Sequence, residues 1–281
     1  MVRVFVLAIS TLFAASTTFA AAPAKPNVLF IAIDDLRDWV GYLGDKQVKT
    51  PNLDKLAARG MSFTRSYCAA PVCNPSRTAL MSGMRPGTTG VYDNGDDWRT
   101  TPASKVVHLG QHFMANGYDV RGAGKIYHGG YPTPAGYWHE FIAGGDNEEA
   151  PAKAAKKAAK EPEGTWGNGN FKIGPIAGGD ESMEDYRIVS YCLKELGKSH
   201  DKPFFLAVGF IRPHTPYVAP RAFFELIEPD AIELPAFYQP GGENLAAIPR
   251  AALRPNNNVF VFEAASVADR KSTRLNSSHR T

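Results

Sequence analysis

The sequence predicts an α/β fold, a mostly parallel sheet sandwiched by helices. Two observations predict it. Asn27–Ile33 (NVLFIAI) and Phe204–Phe210 (FFLAVGF) are short, continuous apolar runs, the pattern of strands buried on both faces of a parallel sheet. Segments with helical spacing alternate with the strand candidates. Polar clusters also stand just past the strand ends, at Asp34-Asp35, at Lys125 with His128, and at Arg212 with His214. In open parallel sheets the site lies beyond the carboxyl ends of the strands, so these clusters point to one shared site.

The elements follow in order. Thr50-Pro51 starts a helix with a Thr cap and Pro in the first turn, and Gly60 stops it after Leu53, Leu56 and Ala57 have supplied an apolar stripe. A second helix begins at Pro75. Val106–Asn116 reads as a third, stopped at Gly117, and Tyr118–Arg121 as a shorter strand leading into Gly122-Ala123-Gly124-Lys125. Met183–Leu196 has helical spacing through Tyr186, Val189, Leu193 and Leu196. Residues 150–163, rich in Lys and Ala, read as a solvated insertion, and 164–179, rich in Gly and Asn, as loop. From Pro229 onward proline dominates and no element is assigned.

The ends read differently. Arg3, the apolar run Val4–Phe13 and small residues up to Ala20 fit a cleaved secretory signal, residues 1–20, so an exported, periplasmic or extracellular protein is expected, without stable membrane insertion. Residues 269–281 look like one reading frame of a sequencing-library adapter. The native sequence is therefore expected to occupy 21–268 and to stop short of the complete protein. The formal net charge of +3 includes Arg3 and the basic tail; without them the remainder is slightly acidic, which gives no support for nucleic-acid binding. Cys68, Cys73 and Cys192 are an odd number of cysteines for an exported chain. Spacing leaves open whether Cys68 and Cys192 pair or stay free and buried.

The clusters have readable chemistry. Paired acids at a buried strand end need a cation or donors, so Asp34 and Asp35 are either metal ligands or a cap and surface pair. Cys73-Asn74-Pro75-Ser76-Arg77 places a nucleophile where a helix N-terminus favours an anion. Arg77 adds a fork of donors, or else is a surface Arg paired with a carboxylate. Ser76 reads as structural. Lys125 and His128 lie among glycines that let backbone approach a ligand. Arg212-Pro213-His214-Thr215-Pro216 mounts a His between prolines, suited to a general acid, with Arg212 the local candidate for substrate contact.

Taken together, these residues resemble the type I sulfatases of the alkaline-phosphatase superfamily, and most nearly the iduronate-2-sulfatase branch. The resemblance runs from Asn27 to about Phe224, through Asp34-Asp35-Leu36-Arg37, Thr50-Pro51-Asn52-Leu53-Asp54, Cys73–Gly83, Tyr92-Asp93 with Trp98-Arg99, Gly124-Lys125 with His128, and Pro203–Pro216. It implies that Cys73 is oxidised to formylglycine by a formylglycine-generating or sulfatase-maturating enzyme. A gem-diol there makes the site rich in oxygen, which suits calcium held by Asp34, Asp35 and the modified Cys73. Arg77 and Lys125 then steady the formylglycine and sulfate, and His128 assists the hydrated aldehyde. His214 protonates the leaving alcohol of a sulfated carbohydrate, a uronic-acid sulfate or similar sugar. The family's later Asp-His pair and Lys are absent from this sequence, so the polypeptide is expected to be incomplete on its C-terminal side, poorly folded and inactive. Competing expectations are a phosphoester or phosphonate hydrolase of the same superfamily, or an inactive secreted sugar-binding remnant.

Overall fold

The computed structural model describes residues 25–129, 131, 133–143 and 172–233. The expected signal, the Lys/Ala insertion and the adapter-like tail fall outside them. Six strands are present among the described residues: β1 Val28–Ile33, β2 Asp119–Gly124, β3 Glu140–Ala143, β4 Ile173–Ile176, β5 Phe204–Phe210 and β6 Tyr217–Pro220. The helices are α1 Pro51–Arg59, α2 Cys73–Ser82, α3 Pro86–Thr89, α4 Leu109–Ala115, α5 Glu184–Leu196 and α6 Arg221–Phe224.

The main sheet has the order β1-β5-β2-β3, with every neighbouring pair parallel. The central strand β5 explains the sandwich. Phe205 and Ala207 enter one cluster with Met81, Trp98, Val120 and Ile126, while Leu206 and Val208 enter another with Ile188 and Cys192 of α5. Alternate side chains thus serve helices on opposite faces.

β1 departs from expectation. The apolar run predicts a strand covered on both faces, yet β1 lies at the sheet edge. Val28, Phe30 and Ala32 pack on the first cluster, whereas Leu29 and Ile31 are 46% and 45% exposed. The reason is geometric: among the described residues α5 packs chiefly over β5 and β2. Such an edge templates self-association. Ile31→Lys is expected to lower the self-associated fraction of the chain in light scattering at equal concentration; an unchanged fraction would count against this edge as the sticking surface.

Other boundaries also move. α1 matches its expected span, but Thr50 does not cap it. Its hydroxyl instead donates to Asp54 Oδ1 (3.0 Å) and accepts from Gly41 N–H (2.8 Å). α2 begins at Cys73 rather than Pro75, because Ser76 N–H already reaches Val72 O at 3.1 Å; Pro75 is tolerated within that first turn. It ends at Gly83, left-handed at φ 71°. α4 starts at Leu109, not Val106, since the His108 ring is drawn into the core. β2 starts at Asp119 and continues through Gly122 and Gly124, past the expected strand end at Arg121. Part of the 164–179 stretch is also not loop: Ile173–Ile176 pairs in parallel with Tyr217–Pro220 as a separate two-stranded sheet. All three thiols are free, with Cys192 buried but Cys68 exposed, so the pairing left open is absent.

Candidate active site

The site forms where β1, β2 and β5 end. Backbone bonds extend the ladders past each strand: Asp34 N–H donates to Phe210 O (3.2 Å) and Lys125 N–H to Gly209 O (2.8 Å). Asp34 and Lys125 are thereby carried beside the exit of β5, which leads to His214. Asp34, Cys73 and His214 offer ligand atoms all within 4.8 Å of one another. Residues from three chain segments, read separately in the sequence, converge here.

Asp34 is the electrostatic centre. Its Oδ1 accepts from Arg77 Nη2 at 2.8 Å, and its Oδ2 is 2.6 Å from Lys125 Nζ. Burial alone would raise its pKa, but the Arg77 and Lys125 charges outweigh that and hold the carboxyl below its ordinary value. Arg77 is buried, not on the surface. Its Nη1 donates to the carbonyls of Lys125 and Ile126, tying α2 to the end of β2. Its buried Nε has no hydrogen-bond partner among the described residues, a donor left over for an anion.

Burial, then the Asp34 charge, push the Cys73 thiol upward, with the charge of Asp35 adding to the shift. A thiol so placed is a poor thiolate nucleophile. Asp35 itself is exposed, with φ 56°, next to Asp34. Asn74 is fully buried and fixes the α2 start. Its N–H donates to Asn94 Oδ1 (2.9 Å), and its Nδ2 donates to Asp93 O (3.0 Å) and Asp96 O (2.7 Å). No sequence spacing singled Asn74 out.

His214 stands in a loop braced from both sides. Asp185 of α5 accepts from the N–H groups of Ile211 (2.8 Å) and Arg212 (3.0 Å). Arg212 Nη1 donates to the carbonyls of His214 and Pro216, each at 2.6 Å, so this part of its guanidinium clamps the loop. His214 Nδ1–H donates to Thr215 O (2.8 Å), which leaves Nε2 outside this bond. His128 follows three residues after Lys125, half-buried, its ring 6.4 Å from that of Tyr131.

The donors fit a divalent cation in position. Asp34, Cys73 and His214 stand close enough to share one ion, with Asp35 adjacent in the chain. Calcium takes about six to eight oxygens, and an oxygen at position 73 would move the set toward its preference. A cation here would compete with Arg77 and Lys125 for Asp34.

Strand-end acids, a cysteine at the head of α2 and two buried cations paired with Asp34 thus gather at the strand ends of an α/β protein. A family model of the sulfatases matches residues 26–229, and the chain belongs to the sulfatase family. It is 36% identical over 247 residues to a sulfatase of Formosa agariphila, covering 83% of this chain and 47% of that protein. It is 32% identical over 215 residues to the iduronate 2-sulfatase of Homo sapiens, covering 74% of this chain and 38% of that protein. The chain thus spans less than half the length of these relatives. Among solved structures, a phosphonate monoester hydrolase of Agrobacterium radiobacter aligns with TM-score 0.69 at 20% identity, over 91% of this chain and 56% of its own. Ps i-CgsB in complex with k-i-k-neocarrahexaose aligns with TM-score 0.53 at 27% identity, over 74% and 49%. The α/β class with its parallel sheet is the fold expected from sequence.

Proposed function

We propose that the chain carries the nucleophile half of an exported sulfatase that removes sulfate from a sulfated sugar, with a uronic-acid sulfate as the leading substrate class. The observation that carries the reading is the convergence of Cys73, Asp34 and His214 within 4.8 Å, beside Arg77 and Lys125. Formylglycine at Cys73, with calcium at Asp34 and Asp35, would supply a hydrated aldehyde as nucleophile and charge neutralisation for the sulfate. The chain's own residues do the rest. Lys125 and Arg77 hold negative charge at the sulfuryl position, a preorganised role that supplies a large share of such rate enhancements. His214 delivers a proton from Nε2 to the leaving alcohol, its ring fixed by the Thr215 carbonyl. His128 assists at the aldehyde.

The similarity to iduronate 2-sulfatase supports a sulfated uronic acid, while 27% identity to the choline-sulfatase of Rhizobium meliloti favours testing a small ester beside it. Likeness to the phosphonate hydrolase, at 20% identity, concerns the fold.

The test is co-expression of residues 21–268 with a formylglycine-generating enzyme, followed by mass spectrometry of the peptide containing Cys73. Conversion to the aldehyde is expected. Sulfate release from an aryl sulfate and from sulfated uronic-acid oligosaccharides, with and without calcium, is read beside an aryl phosphonate. This half-chain is expected to release little. An unconverted Cys73 in a chain that still binds sulfated glycan would replace the sulfatase reading with the sugar-binding one.

A further inference from the structure

His108 is a fully buried imidazole outside the cluster described above. Both of its nitrogens are engaged: Nε2 lies 2.8 Å from Ala103 O, and Nδ1 lies 2.6 Å from the Tyr127 hydroxyl. A carbonyl only accepts, so the ring proton is assigned to Nε2, and Nδ1 accepts from the Tyr127 hydroxyl. Burial pushes the His108 pKa down and keeps the ring neutral, as this arrangement requires.

Rings fix the pair in place. Tyr127 stacks on Trp98, with centroids 5.0 Å apart and planes at 20°. Trp98 lies 5.2 Å from His108, and Tyr137 meets His108 edge-on at 5.0 Å. Tyr127 stands two residues after Lys125 and immediately before His128. The same segment is held from α2 by Arg77, through the carbonyls of Lys125 and Ile126. It is therefore tied at two points, by Arg77 from the nucleophile helix and by His108 from within the core.

We propose that His108 and Tyr127 are positioning residues whose buried hydrogen bond sets where Lys125 and His128 stand against Asp34 and Cys73. The proposal rests on the reading of Lys125 and His128 as site residues, but its test does not require turnover.

Lys125 is 5% exposed, so its acylation by an N-hydroxysuccinimide ester reports how firmly the segment is held. The full chain is labelled, digested and analysed by mass spectrometry, with Lys194 on α5 as the internal reference. Tyr127→Phe removes only the hydroxyl. Losing one buried hydrogen bond corresponds to about tenfold in local opening, so Lys125 is expected to label about tenfold faster relative to Lys194. His108→Leu with Tyr127→Phe replaces both partners of the His108–Tyr127 bond by apolar groups, which limits the loss to the Ala103 carbonyl that His108 also served. That double variant is expected to melt within about 4 °C of the unsubstituted chain, yet to keep the fast labelling. His108→Gln, which retains a donor and an acceptor, is expected to restore protection. If the double variant, at matched melting temperature, labels Lys125 at the unsubstituted rate, the pair is merely structural and the proposal fails. Unaltered labelling in Tyr127→Phe sinks it equally. Cys73 conversion, scored on separate digests, reports failure of the sulfatase reading independently.

Discussion

Arg77→Met is expected to destabilise the chain by about 3–5 kcal/mol at pH 7, the usual cost of breaking one side of a buried ion pair. The Arg77 and Asp34 side chains are 9% and 8% exposed, so water cannot replace the lost guanidinium. Lys125 alone then faces the carboxylate, and the carbonyls of Lys125 and Ile126 lose the donor that holds them to α2. The pH dependence has a definite sign. Because the Asp34 pKa is held down in the folded chain, its stabilisation is present above the unfolded carboxyl value of about 3.9 and is lost as pH falls through the lower folded value. The gap between variant and unsubstituted chain should therefore narrow below about pH 4. Denaturant unfolding at several pH values tests it, and a loss under about 1 kcal/mol at pH 7 would show that the pair contributes like an exposed one.

Gly209→Ala is expected to cost about 3 kcal/mol or more, through crowding of backbone against backbone. A Cβ at Gly209 would stand 2.4 Å from the carbonyl carbon and oxygen of Lys125 and 2.6 Å from its nitrogen. None of these atoms can rotate away, so β5 and the end of β2 would have to separate, breaking the bond from Lys125 N–H to Gly209 O. Gly90→Ala is the matching control. It has φ +76° but nothing within 4 Å, so only backbone strain of about 1–2 kcal/mol is expected. Equal melting temperatures for the two variants would rule out the crowding argument.

The legible parts of the fold were those whose pattern is local. β5, α1 and α5 stand close to their expected spans because an apolar run or a 3.6-residue stripe, bounded by Pro or Gly, needs no distant partner to be recognised. β4 was illegible because Ile173-Gly174-Pro175-Ile176 carries turn residues, and its partner Tyr217–Pro220 lies more than 40 residues away. β2 runs past its expected end at Arg121 for a related reason: its glycines are demanded by the close approach of β5, a contact that no window of sequence contains. A continuous apolar run also cannot say whether its strand is central or at an edge, which is where β1 differed. Past the strand ends, Asp34, Lys125 and His214 do lie near one another in space. What their positions in the sequence could not give was pairing. Arg77 reads as an anion donor or as a surface residue paired with a carboxylate; that it is buried, and that Asp34 is the carboxylate, are visible only in three dimensions, as are the grips of Asn74, Asp185 and His108.

The placement of β5 between β1 and β2 has a consequence for the order of events during synthesis. β1 and β2 each pair with β5 and not with each other, so neither ladder exists until Phe204–Phe210 has been made. Roughly 130 residues separate Cys73 from that strand, which at about 5–20 residues per second is on the order of ten seconds of translation. Throughout that interval only the β2–β3 pair of the main sheet can have formed. An enzyme that modified Cys73 within that interval would act before either ladder to β5 has formed.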